Sequence, residues 1–291
     1  MIQGTGDTRY AYVNGVIRSR EARLLTKSHF DRLLATDPSS YNTILSDTPY
    51  VGQGELGAGI EIEEVTLRDF FNEYCLTDEV VYFLDWPEQM HNLKVKLKGG
   101  GKELQYTQSA ATVESWPEVV EEVGRFAVDK DPFVLSTNLD KILCSYLYEV
   151  ADFAPFFKKY FEVYFELENI RSFFRSRQFE NKHAIFSKVY IPIGRLELKS
   201  FIQNLEVAQD NLARNFFVSP YAYIFDRGGA YFEEHGAFLG LERLCEEHRL
   251  GFLLQARRMT FGVEPLFSYY HFRMSEMKKL RQVYWGKLND I

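Results

Sequence analysis

Cysteine, histidine and long apolar runs are scarce in this sequence, and each scarcity excludes a class of protein. The three cysteines, Cys75, Cys144 and Cys245, lie far apart and never form a C-x-x-C pair. This spacing argues against a disulfide framework and favours free thiols in a reducing compartment. The longest apolar runs have about five residues, whereas a membrane-spanning helix needs about 20. We therefore expect no direct membrane span.

Positive charge is also in short supply. The 34 Lys and Arg residues face 41 Asp and Glu residues, which leaves a net charge of −7. A broad basic field for nucleic acid or anionic lipid is therefore not expected. The N-terminal residues Met1–Thr5 lack a basic segment followed by an apolar core, so no signal peptide is predicted. The sequence favours a cytoplasmic protein.

Familiar catalytic motifs are missing too. The chain has no H-E-x-x-H, no G-x-S-x-G and no G-K-[ST] motif. The pair Cys245 and His248 could ligate a metal, but a zinc site needs three or four ligands and no second pair stands nearby. We expect this pair on a helical surface, and we expect Asp226–Gly229 to form a turn. No catalytic residue, cofactor or metal is predicted, and an enzyme is not expected.

One glycine-rich segment allows two interpretations. Residues Gly52–Gly57 spell G-x-G-x-x-G, which can mark a dinucleotide site when a buried strand leads into it. The preceding residues 45–51 are interrupted by polar residues and by Pro49, which makes a poor central strand. We therefore predict that Gly52–Gly59 is a hinge or surface linker. A dinucleotide-binding oxidoreductase using Gly52–Gly57 stays open as an alternative, as does a generic helical scaffold.

The apolar pattern is helical almost throughout. Helix-like periodicity predicts one or two helices in 8–36 and further helices near 66–98, 118–128, 139–180 and 265–288. The stretch 183–194 is the one that could be extended. The predicted fold is all-α.

Residues 154–176 and 264–286 resemble each other when shifted by 110 positions. The apolar residues in both follow steps of 3, 4, 3, 3 and 4, which trace one face of a helix. We call each such series a ladder and its apolar residues the rungs. A shift of 77 places residues 80–97 on the same ladder, interrupted at Pro87, where we expect the helix to restart. A small residue after each ladder predicts a helix end, at Gly99, Ser176 and Gly286. The shared residues are Pro155/Pro265, Phe157/Phe267, Tyr160/Tyr270, Glu166/Glu276 and Arg171/Arg281.

Basic residues recur at matching points of these ladders. Such residues usually form a solubilising helix face. If the repeats surround an axis, however, the charges would form a ring suited to docking on a complementary partner. The predicted partner-contact residues are Arg18, Arg20, Lys94, Arg171, Arg175 and Arg281.

Several stretches resemble the C subunits of the archaeal and bacterial V-type (A-type) rotary ATPases, whose eukaryotic counterpart is the d subunit. They are YAYVNGVIRSREARLL (10–25), SDTPYVGQGEL (46–56), FELENIRSFFRSR (165–177) and above all GVEPLFSYYHFRMSEMKKLRQVYWGKLNDI (262–291). The likeness covers essentially the whole chain and is weakest in 102–137 and 183–262. It implies a funnel of three similar helical lobes with pseudo-threefold symmetry. We expect the lobes to be 1–49 plus 241–291, 50–137 and 138–240.

The resemblance also implies a function. The family's members are non-catalytic central-stalk proteins between the D and F subunits of the central shaft and the membrane proteolipid ring. They transmit torque for ATP synthesis or for ion transport, including proton transport, and lie on the cytoplasmic side, peripheral to the membrane. Such an adaptor needs stiff, close-packed helices and two docking faces rather than a ligand pocket.

Overall fold

The computed structural model describes residues 2–51, 55–100 and 112–289. Within these ranges the chain forms fourteen α-helices, five short 3-10 segments and no strand, which confirms the predicted all-α fold class. The chain divides into two compact units. Unit 1 is essentially Tyr82–Leu253, and unit 2 combines Gln3–Val81 with Leu254–Ile291. The three lobes expected from the sequence stay a prediction.

Unit 2 contains helices from both ends of the chain, and α5 carries the chain from unit 2 into unit 1. The helices of unit 2 are α1 (Ala11–Glu21), α2 (Lys27–Ala35), α3 (Tyr41–Ile44), α4 (Leu56–Tyr74) and α14 (Glu264–Leu288). Those that follow α5 (Asp78–Lys98) are α6 (Pro117–Asp129), α7 (Pro132–Val150), α8 (Pro155–Ser176), α9 (Lys182–Val189), α10 (Leu198–Asn204), α11 (Gln209–Asn215), α12 (Ala222–His235) and α13 (Leu239–Leu253).

The centre of unit 2 is an antiparallel pair formed by α4 and α14. The rings of Phe71 and Tyr270 lie 5.2 Å apart near one end of the pair. Near the other end, a Cβ on Gly57 would lie 3.4 Å from the Tyr284 ring. Both helices bury one apolar stripe against the other, so burial of this seam stabilises the pair.

The core of unit 1 is built around α8. The ring of Phe173 lies 5.6–6.2 Å from four other rings, which belong to α9, α10, α12 and the turn after α11. Helices α12 and α13 approach closely because they meet at glycines. A Cβ on Gly228 would lie 2.9 Å from Leu241, and one on Gly240 would lie 2.4 Å from Tyr231.

The predicted ladders are buried seams. On α8 and α14 every rung is buried except Tyr164 and Met274, which occupy the same place in the two ladders and are half-buried. On α5 the rungs from Val80 to Leu93 are also buried. The restart expected at Pro87 is wrong, because α5 continues through it. A proline removes one backbone donor, and burial of the residues on either side outweighs that loss here.

Three other local predictions are wrong. The stretch 183–194 is not extended in its first part, because residues up to Val189 belong to α9. Residues Asp226–Gly229 lie inside α12, where the two glycines allow close helix packing rather than a turn. Gly286 does not end its helix, since α14 continues to Leu288. The ends at Gly99 and Ser176 are confirmed, and Gly99 has a φ of +75°.

The predicted glycine joint is only partly tested. Gly52 and Gly54 lie outside the described residues. Gly57 and Gly59 belong to α4, so they are not part of a hinge. Gly59 is needed for a close approach, because a Cβ there would lie 2.2 Å from the carbonyl oxygen of Tyr50. Residues 45–51 form turns rather than a strand, so the dinucleotide interpretation lacks its leading strand.

The seam yields a stability prediction. Phe157 is fully buried, and its ring lies 5.3 Å from that of Phe83. We expect Phe157→Ala to lower the free energy of unfolding by about 3–5 kcal/mol, because a large core side chain is lost. The control Phe179→Ala removes an exposed ring. Urea unfolding curves that coincide for both variants would contradict the buried seam.

Candidate docking residues and buried carboxylate ties

The three ladder cations are engaged within their own units. Each one joins its long helix to a neighbouring helix through an ion pair, so these charges stabilise helix pairs instead of pointing freely outward. The pairs are Lys94 with Asp140 of α7 at 2.6 Å, Arg171 with Glu242 of α13 at 2.7 Å, and Arg281 with Glu64 of α4 at 2.9 Å.

Arg171 is the most deeply buried of the predicted docking residues, with a side chain only 11% exposed. It also bonds Glu168 at 2.6 Å, and Arg175 shares Glu242 at 2.6 Å. Burial acts to lower the pKa of Arg171, but Glu168 and Glu242 outweigh it and the pKa is raised. Burial raises the pKa of Glu168, while Arg171 acts against that rise. This cluster holds α8 against α13.

Arg18 and Arg20 are also used inside unit 2. Arg18 donates to the carbonyl oxygens of Ala256 at 3.2 Å and Met259 at 3.1 Å. The guanidinium of Arg20 lies 3.9 Å from the centre of the Phe70 ring, which is a cation–π contact. Both residues therefore contribute to packing at the C-terminal end of α1.

Three of the six predicted docking residues, Arg20, Arg175 and Arg281, keep a substantially exposed side chain. The side chain of Arg175 is 54% exposed and that of Arg281 is 39% exposed, so each can contact another protein without unfolding its surroundings. The docking role of all six stays a prediction. The structure adds that Arg18, Lys94, Arg171, Arg175 and Arg281 already have acidic partners, so each of these five contributes to docking less than a free cation would.

A feature that the sequence analysis missed lies at the shared glutamate of the two ladders. In unit 2, buried Glu276 accepts hydrogen bonds from the Tyr50 hydroxyl at 2.6 Å and from the backbone N–H of Leu25 at 2.5 Å. It also pairs with buried Arg273, which bonds Glu63 of α4 at 2.7 Å. Burial raises the pKa of Glu276, and Arg273 acts against that rise. One carboxylate thus holds two turns against α14, and we call this arrangement a carboxylate tie.

Glu166 does the same in unit 1. It accepts hydrogen bonds from the Tyr221 hydroxyl at 2.5 Å, from the backbone N–H of Leu196 at 3.0 Å and from that of Arg195. Gly194 permits this approach, because its φ is +113° and a Cβ there would lie 2.3 Å from the Glu166 side chain. This carboxylate fastens the α9–α10 and α11–α12 turns onto α8.

The donors to these glutamates obey a second internal shift. Leu25 and Tyr50 of unit 2 correspond to Leu196 and Tyr221 of unit 1, both displaced by 171 positions. Each unit therefore contains the same module, in which two turns donate hydrogen bonds to a buried glutamate on a long helix. The helix that carries the glutamate precedes its module in unit 1 and follows it in unit 2. The signal in the sequence is a repeated [ST]-Pro-Tyr, at 48–50 and at 219–221.

The third ladder has a related bond. Gln89 of α5 stands at the place of Glu166 after the shift of 77, and its side-chain oxygen accepts the backbone N–H of Val113 at 2.9 Å. The matching position of each long helix therefore accepts a hydrogen bond from the backbone N–H of a distant turn. In α5 the acceptor is an uncharged amide.

The other candidate chemistry is weak in the described part of the chain. Burial raises the pKa of Cys75 to about 11 and that of Cys245 to about 12, so these thiols are protonated at neutral pH and poor nucleophiles. Among the described residues, no three His, Cys, Asp or Glu side chains converge as a metal site would require. None of the helices described is both long and apolar enough to cross a bilayer.

Two comparisons with known proteins agree with one another. The family model described as ATP synthase (C/AC39) subunit matches residues 90–291. The chain is also similar to the C subunit of the V-type sodium ATPase of Enterococcus hirae. That alignment has 21% identity and covers 97% of this chain and 95% of the relative.

The carboxylate ties yield a prediction. Tyr221→Phe removes a hydroxyl donor from buried Glu166, and we expect the free energy of unfolding to fall by about 1.5–3 kcal/mol, as for a hydrogen bond to a charged group. The control Tyr12→Phe alters an exposed ring. Equal urea midpoints for wild type, variant and control would show that the tie contributes nothing.

The cluster of Arg171, Glu168, Glu242 and Arg175 yields another stability prediction. Arg171→Ala leaves Glu168 and Glu242 without their shared cation, and we expect a loss of about 3–5 kcal/mol. Arg175→Ala, at the exposed edge of the cluster, should cost at most about 1 kcal/mol.

The loss should also depend on pH. Without Arg171 the folded-state pKa of Glu168 rises further above its unfolded value. An acid with a raised folded pKa stabilises the fold below its unfolded pKa and loses that contribution as pH rises. The deficit of Arg171→Ala should therefore grow between about pH 4.5, the usual glutamate pKa, and pH 7. A deficit that shrinks over this range would contradict the assigned pairing.

Proposed function

The chain belongs to the ATP synthase (C/AC39) subunit family, and from this premise we propose that it is the non-catalytic central-stalk component of a V/A-type rotary ATPase. In this role it lies between the D and F subunits of the central shaft and the proteolipid ring of the membrane sector, on the cytoplasmic side. The observation that carries the proposal is the family match over residues 90–291, joined to an end-to-end alignment with the C subunit of a V-type sodium ATPase.

The construction of each unit supports a mechanical role. A torque adaptor must pass on a displacement without bending, and close-packed helices with fixed turns do this because their packing is hard to compress. The two longest helices are α14, with 25 residues, and α8, with 22. Each has a buried glutamate that holds two turns and a cation that bridges to a neighbouring helix.

Docking in this role needs surface charge rather than a pocket. We propose that Arg175 and Arg281 contact carboxylates of partner proteins, since both keep exposed guanidinium groups beside their internal partners. The predicted lobes, 1–49 plus 241–291, 50–137 and 138–240, belong to the same proposal. Their pseudo-threefold arrangement would present similar faces to a ring.

The proposal is tested in membranes from cells that lack this chain. We expect the soluble ATPase head to keep ATP hydrolysis, while ATP-driven ion uptake into vesicles falls to background because shaft and ring are no longer joined. Uptake is measured for both protons and sodium, and the wild-type chain supplied from a plasmid should restore it. Undiminished ATP-driven uptake without the chain, or failure of a tagged chain to co-purify with the D and F subunits, would contradict the coupling role.

Arg281→Glu provides a specific variant, with Lys279→Glu on the same helix as its charge-matched control. Arg281 is 39% exposed beside Glu64, so reversal of its charge should disturb both that pair and any acidic partner. We expect the variant chain to dissociate from the complex at lower salt than the control does. Equal salt sensitivity for the two variants would remove Arg281 from the docking surface.

A further inference from the structure

The turn that ends in each [ST]-Pro-Tyr motif occurs twice in the chain and differs at its tip. Residues 45–50 read Leu-Ser-Asp-Thr-Pro-Tyr, and residues 216–221 read Phe-Phe-Val-Ser-Pro-Tyr. The two turns have the same backbone class and the same burial at each of the six positions: buried, exposed, exposed, half-buried, exposed, buried. They are therefore two copies of one local structure.

The two turns differ in the polarity of their exposed tip residues, which shows which side chains the fold requires there. In unit 2 the two exposed tip positions are Ser46 and Asp47, both polar. In unit 1 the same positions are Phe217, 75% exposed, and Val218, 83% exposed. Because the polar tip forms the same turn, local folding does not require apolar side chains at 217 and 218. Two adjacent large apolar side chains in water are unfavourable unless something covers them.

The tip of unit 1 is also held firmly. On one side the Phe216 ring stacks on Phe225 at 3.9 Å, nearly parallel. On the other side Tyr221 donates to buried Glu166 at 2.5 Å, and within the turn the Ser219 N–H donates to the Phe216 carbonyl at 2.9 Å. A tip that is already ordered loses little conformational freedom on binding, so its apolar contacts translate more fully into affinity.

Charge changes in the same place. Arg214 of α11 is exposed, and no ion pair or hydrogen bond involves its side chain within the described residues. The equivalent position in unit 2 is Thr43. From unit 2 to unit 1 the turn therefore loses the carboxylate of Asp47 and gains the cation of Arg214, while exposed Asp210 on the preceding helical turn takes the place of Ser39. An apolar tip with one adjacent cation matches an apolar cleft that has carboxylates at its rim.

We propose that Phe217 and Val218 form a docking knob that inserts into an apolar, acid-rimmed cleft of another protein. The proposal rests on the proposed function only in taking that protein to belong to the same complex. A protein partner is favoured over a lipid surface for two reasons. Lipid adsorption draws on several clustered basic residues, whereas here exposed Asp210 lies one helical turn before Arg214. The chain as a whole also carries a net charge of −7.

The first test copies the polar tip of unit 2 into unit 1. The double variant Phe217→Ser/Val218→Asp is co-expressed with differently tagged wild-type chain, and both are quantified by mass spectrometry in the purified complex. We expect the variant to be depleted at least about 10-fold, as for loss of a binding hot spot. The matched control Val128→Asp changes an apolar side chain that is 80% exposed on α6, and it should be incorporated like wild type.

Stability is measured first on the isolated chains. We expect the double variant to melt within about 2 °C of wild type, because surface changes are usually small in energy. If it melts much lower, Arg214→Thr replaces it. This variant should be incorporated less than wild type at low salt, and its incorporation should depend less on salt, because the screened attraction is gone. Incorporation of the folded double variant equal to that of wild type, or unchanged salt sensitivity of Arg214→Thr, would overturn the proposal.

A photo-crosslinker identifies the partner. With p-benzoylphenylalanine at position 217 in cells, we expect one dominant crosslink to a protein segment of apolar residues flanked by Asp or Glu. Such a crosslink to a protein outside any V-type complex would support the knob and contradict the central-stalk proposal. No protein crosslink, with tip-dependent sedimentation on phosphatidylcholine–phosphatidylserine vesicles instead, would overturn the knob in favour of a lipid contact.

Discussion

A buried glutamate that collects hydrogen bonds from distant turns is the interaction on which both units depend. Glu166 and Glu276 lie at matching positions of α8 and α14. Each accepts hydrogen bonds from a tyrosine hydroxyl and from at least one backbone N–H. A buried carboxylate is unfavourable unless its oxygens are satisfied, so the turns and the helix must be in place together. Each tie therefore couples the ordering of its turns to that of its long helix.

The two copies of the module differ in sequence at positions that the fold does not constrain. The module repeats at a spacing of 171 residues with its donors intact, but its tip changes from Ser46–Asp47 to Phe217–Val218. The leucine and tyrosine that donate to the glutamates are the same in the two copies, whereas the two exposed tip residues differ. Comparison within a single chain thus separates residues that hold the module from residues available to a partner.

The seams were predictable from the sequence because helical periodicity is a local signal. The steps of 3 and 4 found Phe157, Leu167 and their counterparts, and all but one rung of each ladder on α8 and α14 is buried. Ion pairing was not predictable in this way. Arg171 meets Glu242 across 71 positions, and only the fold brings them together. The shared glutamates were visible as identities, but their donors lie up to 251 positions away, so their role was missed.

Hydrogen exchange at the backbone amides of Leu25 and Leu196 tests the central claim most directly. Both amides lie in turns between helices, where exchange is normally fast, yet each donates to a buried glutamate. The account predicts strong protection in the wild-type chain, comparable to that of core amides in α8 and α14, and loss of that protection at Leu196 alone in Glu166→Ala, which removes the side-chain acceptor. Fast exchange of both amides in the wild-type chain would contradict it.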